Sequence, residues 1–164
     1  MDLRTLQEVT EWLKFIPETA LVADLGSYKV NHSVRDIRSS IVGFDLQEGQ
    51  GVDVVLQEGS IPEDHQEKYD AVVAIQSFQF SPHPSKWKQE VIQLLKPNGK
   101  LLMTTCADYC RLNHATSPKT EKLPLRRTTG RDLTNFLAPE IVIEKTKAIE
   151  HMGHILWVFL GRKK

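Results

Sequence analysis

Four short, mostly apolar segments, each ending in or followed by a polar residue or a glycine, constrain this chain most. They are Ala20-Leu21-Val22-Ala23-Asp24-Leu25 before Gly26, Ile41-Val42-Gly43-Phe44-Asp45, Val52-Asp53-Val54-Val55-Leu56 and Tyr69-Asp70-Ala71-Val72-Val73-Ala74-Ile75. Each is too short for a buried helix and reads as a strand covered on both faces. A fifth, Lys100 to Cys106, follows the turn Lys96-Pro97-Asn98-Gly99. Proline and glycine there end a helical stripe made by Trp87, Val91, Ile92, Leu94 and Leu95. Leu3, Leu6, Val9, Leu13 and Ile16 recur at helical spacing up to Pro17, which predicts an N-terminal helix over 3–16. Ser33 to Arg38 predicts a short helix, and Thr129 to Leu137 another, stopped by Pro139.

Continuous apolar strands alternating with helices indicate parallel βαβ units with both sheet faces covered. The last two strands, Glu140 to Lys147 and His154 to Leu160, are joined too closely for a helical crossover, so they pair antiparallel. The expected fold is α/β: a doubly wound, mostly parallel, seven-stranded sheet with an antiparallel C-terminal hairpin. Ligands of such sheets bind at the carboxyl ends of the strands. The polar stretch 107–128 is expected to be a loop on the substrate side.

With 164 residues the expected organisation is one domain over 1–164. Twenty-one basic residues balance twenty-one acidic ones, which argues against a general polyanion binder, so no nucleic-acid partner is expected. The apolar run Ile155 to Leu160 is too short to cross a bilayer, and Met1 to Thr5 lacks a signal-peptide core. Two cysteines make no disulfide framework. A cytoplasmic protein with no membrane partner is the expectation. Cys106, Cys110 and His114 stand four apart, but a metal site would need a further ligand, and reduced thiols are expected instead.

Certain segments carry a resemblance: Val22-Ala23-Asp24-Leu25-Gly26-Ser27, Val42-Gly43-Phe44-Asp45, Tyr69-Asp70-Ala71-Val72-Val73, and Leu94-Leu95-Lys96-Pro97-Asn98-Gly99-Lys100-Leu101-Leu102. In this order the chain resembles the class I S-adenosylmethionine (SAM)-dependent methyltransferases, in particular the small methyltransferase domain 11 type. The resemblance spans roughly Glu18 to Leu160 and implies a Rossmann-like fold. Lys29-Val30-Asn31-His32-Ser33 and Gly51-Val52-Asp53-Val54-Val55 match further text of one branch. One departure stands out. The family writes Gly-x-Gly-x-Gly after the first strand, whereas this chain keeps Gly26 and has Tyr28 and Val30 at the other two positions.

The resemblance implies SAM as cofactor. Asp24, Gly26, Ser27 and Tyr28 would face its methionine part, and Asp45 with Leu46 its ribose, where a carboxylate accepts both hydroxyls. Glu48 is a second carboxylate near that position. Glu58, Gly59 and Ser60 would hold the adenine, and Gln76 would line the cofactor after the fourth strand. Phe78 and Phe80 are either an apolar wall or core. The Asn/Asp-Pro-Pro-Tyr motif of nucleic-acid and protein amine methyltransferases is missing. His83, in Ser81-Pro82-His83-Pro84, is the candidate general base. Asp108, Tyr109 and His114 are lesser candidates. Lys119, Lys122, Arg126, Arg127 and Arg131 form a basic cluster that would attract an acidic substrate or simply be solvated. The expected function is methyl transfer to a small-molecule or glycan-like acceptor. The alternative is a methyltransferase-like binding protein without turnover, favoured by Tyr28 and Val30. A dehydrogenase is disfavoured because Gly-x-Gly-x-x-Gly is missing.

Overall fold

The computed structural model describes residues 3–29, 32–106, 129–151 and 154–164. Seven strands form one sheet: β1 Val22–Leu25, β2 Ile41–Asp45, β3 Val54–Val55, β4 Tyr69–Ile75, β5 Leu95–Cys106, β6 Ile141–His151 and β7 His154–Lys163. Their order across the sheet is β3-β2-β1-β4-β5-β7-β6. β1 pairs in parallel with both β2 and β4, and β4 with β5. β7 runs antiparallel between β5 and β6. Chain order reverses at β1, so β1 and β4 flank the topological switch point where such sheets take their ligands.

The apolar runs are strands because two helical layers bury them. Helix α1, Leu3–Leu13, puts Val9, Trp12 and Leu13 on one face, against Val22, Val73, Leu102 and Leu160. Helices α2, Pro84–Leu94, and α3, Gly130–Leu137, cover the other face. There Trp87, Val91, Leu94, Leu133 and Leu137 meet Ala23, Phe44, Val72, Leu101 and Phe159. α2 begins earlier than its apolar stripe suggests: Pro84 occupies its first turn and His83 its cap position. Thr129 caps α3 by accepting the Asp132 N–H at 3.0 Å.

Several elements differ from expectation. Helix α1 stops at Leu13 short of Ile16, because tighter turns, Phe15 N–H to the Trp12 carbonyl and Ile16 N–H to the Leu13 carbonyl, lead into Pro17. β6 and β7 run on to His151 and Lys163. The segment 33–38 forms a 3-10 turn, Val34–Asp36, closed by a reciprocal Ser33–Asp36 capping box, instead of a helix. The third strand shrinks to Val54–Val55, because Asp53, which stays exposed, turns its carboxylate to accept the Gly43 N–H at 2.7 Å. β5 begins at Leu95, and its pairing slips between Tyr69 and Ala71, where Asn98 adopts φ +64°.

Gly43 lies where the two loops nearest the switch point press on the sheet. A Cβ there would stand 2.0 Å from the Gly51 carbonyl oxygen and 2.6 Å from Ser27 Oγ. Backbone on one side cannot yield cheaply, so Gly43→Ala is expected to cost about 2 kcal/mol. Urea titration checks this, and a loss within about 0.5 kcal/mol would contradict the contact.

Candidate cofactor and acceptor site

The loop after β1 is held mainly by backbone. Gly26 and Ser27 both donate their N–H to the Phe44 carbonyl, at 2.8 and 3.1 Å. Tyr28 donates to Asp45 Oδ2 at 3.1 Å, and Lys29 to the Gln50 carbonyl at 2.9 Å. Gly26 has φ +85°, and a Cβ there would sit 2.3 Å from Ser77 Cβ, so this glycine is required twice over. Tyr28 lies over Gly49, where a Cβ would be 2.3 Å from its ring. Tyr28 stays 40% exposed, so its side chain leaves the strand ends and rests on the next loop. The bareness that the family places in the first loop is supplied here by Gly49 and Gly51 in the second. Ser27 is buried, and its Oγ has no hydrogen-bond partner among the described residues.

Carboxylates gather around this loop. Asp24 is 4% exposed and lies between Gly43 and Val73 in the strand register. Burial pushes its carboxyl up to about 7; the Arg35 charge opposes the rise and Asp45 adds to it. Asp45 accepts from Tyr28 on one oxygen and from the Gln47 N–H on the other at 3.1 Å. Burial nonetheless raises its pKa above the ordinary value. Glu58 Oε2 faces Lys86 at 3.3 Å and His83 Nε2 at 3.8 Å, while its buried Oε1 has no partner among the described residues. Glu90, on α2, accepts the Gly59 N–H at 2.7 Å. Burial raises its pKa first, with Glu58 and Asp45 adding and Lys86 opposing. Asp24 and Asp45 lie at the ends of neighbouring strands, and Glu58 follows β3 next to the Gly59 that Glu90 holds, so the four carboxylates lie around the ends of β1 to β3.

Beyond β4 the chain turns sharply. Gln76 takes φ +55° and donates its N–H to the Thr104 carbonyl at 3.0 Å. Ser77 accepts the Trp87 indole N–H at 3.2 Å. Phe78 is core, edge-on to Trp87 at 5.0 Å, while Phe80 is half-buried. Gln79 is fully buried, and its Oε1 accepts the Cys106 N–H at 3.0 Å.

With sheet order, switch point and hairpin in place, comparison with solved structures is decisive for the fold. A SAM-dependent methyltransferase from Methanosarcina mazei superposes with a TM-score of 0.68 at 16% identity, covering 99% of both chains. The fold is that of the class I SAM-dependent methyltransferases. Burkholderia thailandensis 1,6-didemethyltoxoflavin-N1-methyltransferase, solved with bound 1,6-didemethyltoxoflavin and S-adenosylhomocysteine, gives a TM-score of 0.70 at 16% identity, over 98% of this chain and 77% of that one. The [4+2]-cyclase SpnF gives 0.71 at 16%, over 97% and 80%. No family model and no curated protein matches the chain.

On this methyltransferase fold the expected residues divide. Asp24, Gly26, Ser27, Tyr28, Asp45 and Gln76 sit at the ends of β1, β2 and β4. Leu46 is exposed beside Asp45. Gly59, at φ +81°, and Ser60, bridged to Gln57, follow β3 with Glu58. His83 is exposed at the start of α2. Val30, Asp108, Tyr109, Cys110, His114, Lys119, Lys122, Arg126 and Arg127 lie outside the described residues, as does the whole stretch 107–128 expected as a loop. Arg131 is exposed on α3, and Cys106 is buried in a strand. Among the described residues no group of His, Cys, Asp and Glu is placed to hold a metal, and no helix is long and apolar enough to cross a membrane. Glu90 escaped the sequence reading, although a lone charge on the stripe of Trp87, Val91 and Leu94 was a signal for it.

The raised Asp24 carboxyl has a defined sign. The folded chain holds a proton that the unfolded chain, with an ordinary 3.8, has released. Its stabilisation is therefore complete below about pH 4 and is lost as pH rises through about 7. Asp24→Asn removes that loss. The variant's advantage over the parent is expected to grow by about 2 kcal/mol from pH 5 to pH 8 in chemical denaturation. A flat or shrinking difference would contradict it.

Proposed function

We propose that the chain is a SAM-dependent methyltransferase acting on a small-molecule or glycan-like acceptor. One observation carries the reading: a carboxylate-rich region at the ends of β1 to β3, with Glu58 Oε1 and Ser27 Oγ left over. SAM presents the complement, namely an ammonium, a ribose diol, an exocyclic amine and a sulfonium. Each Asp45 oxygen accepts one backbone N–H and keeps a lone pair free for a hydroxyl. The residues present therefore fit the cofactor.

In this reading Asp24, Gly26, Ser27 and Tyr28 hold the methionine end, Asp45 and Leu46 the ribose, and Glu58, Gly59 and Ser60 the adenine, with Gln76 closing the β4 side. Bound SAM supplies an activated methyl group. The protein then needs chiefly to align a nucleophile with it and exclude water. A base is needed only for an acceptor that must lose a proton, and His83 is proposed for that case. The alternative of a binding protein without turnover draws on Tyr28 in the glycine loop.

Calorimetry with SAM and S-adenosylhomocysteine tests the reading. Both are expected to bind well below millimolar concentration. Asp45→Ala is expected to weaken binding by about 1–3 kcal/mol. Because a sulfonium favours ionised carboxylates, SAM affinity is expected to rise from pH 6 to pH 8 more steeply than that of the neutral-sulfur product. Failure of both ligands to bind would remove the enzyme reading; unchanged affinity in Asp45→Ala would remove that residue from the site.

A further inference from the structure

At the far end of β5 three polar atoms are left over, and they differ in kind from the carboxylates. Gln79 is fully buried; its Oε1 is taken by the Cys106 N–H, which fixes the amide and leaves Nε2 without a partner among the described residues. Thr105, one residue back, is also fully buried, and its Oγ1 is likewise unpartnered. Trp157 stands directly opposite Thr105 in the β5–β7 register, and its Nε1 is the third. The other two tryptophans donate internally: Trp12 to Glu8 at 2.9 Å and Trp87 to Ser77 at 3.2 Å. Buried polar groups ordinarily find partners, so three orphans around two adjacent backbone positions mark a place built for one.

The chemistry of the set is selective. The amide nitrogen and the indole nitrogen only donate, and the hydroxyl does either. An oxygen acceptor suits each of the three, whereas an ammonium finds a single acceptor. The surroundings are aromatic: Phe78 precedes Gln79 and packs on Phe136 at 5.8 Å, and the indole of Trp157 lies against Gly130 of α3. In the sheet only β4 separates β1 from β5. Thr105 therefore stands about 10 Å from the strand that carries Asp24, the span of one small ring molecule, and Trp157 on β7 lies one strand spacing further.

We infer that the end of β5 seats a carbonyl or carboxylate oxygen of the methyl acceptor, which is accordingly a flat, neutral or anionic molecule and not a cationic amine. This rests on the methyltransferase reading for the word acceptor; the oxygen site itself does not. The test follows the three indole N–H resonances of the full chain by NMR, with S-adenosylhomocysteine present, and titrates benzoate, benzamide and benzylamine to about 10 mM. Benzoate and benzamide are expected to shift Trp157 alone, leaving Trp12 and Trp87 as internal references, and benzylamine is expected to shift none. Gln79→Glu replaces a donor by a charge and is expected to weaken benzoate by about tenfold or more. Thr105→Val is the second variant, expected to weaken both oxygen ligands. A Trp157 resonance unmoved by every probe, or moved equally by the amine, overturns the inference. Calorimetry of the product on the same sample separates the two readings: if it fails to bind while benzoate still moves Trp157, the cofactor reading falls and the oxygen site stands.

Discussion

Everything at the upper rim of this sheet depends on a short main-chain seam between the loop after β1 and the end of β2. Four successive N–H groups, from Gly26 to Lys29, donate to Phe44, Asp45 and Gln50. The seam closes only because Gly26 turns left-handed against Ser77 and because Gly43 leaves room for Ser27 and the Gly51 carbonyl. A loop fixed by its backbone tolerates an unusual side chain better than one fixed by side-chain packing. That explains how Tyr28 occupies a glycine position of the family without filling the strand ends.

The seam also brings the carboxylates together. Asp24 and Asp45 lie at the ends of neighbouring strands, and Glu90 reaches Gly59 from α2. Burial raises all three, so the charged state of the region is costly in the absence of a compensating cation. Across β4 the polarity reverses, with donors unpaired at Gln79 and Trp157. A cationic partner on one side and an oxygen-bearing one on the other would each relieve a local imbalance.

Much of the fold was legible because burial on both faces writes strands as unbroken apolar runs. Tyr69–Ile75 and Ile41–Asp45 were read to the residue. Val52 to Leu56 was overread, since Asp53 serves a turn contact that periodicity does not encode. Asp24, Asp45 and Glu58 were visible as polar residues at strand ends. Glu90 and Gln79 were not, because each matters through a partner distant in sequence, at Gly59 and Cys106. The seating of Tyr28 on Gly49, and of Ser27 and Lys29 against Gly51, is likewise a relation between loops, hidden in any single window.

The two outer strands of the sheet close it in different ways. β3 is only two residues long, too brief to template a foreign segment. β6 runs for eleven, yet its Glu144, Lys145, Lys147 and Glu150 are all exposed along its length. Exposed charges of both signs on the long border and near-absence of the short one disfavour self-association into extended ribbons.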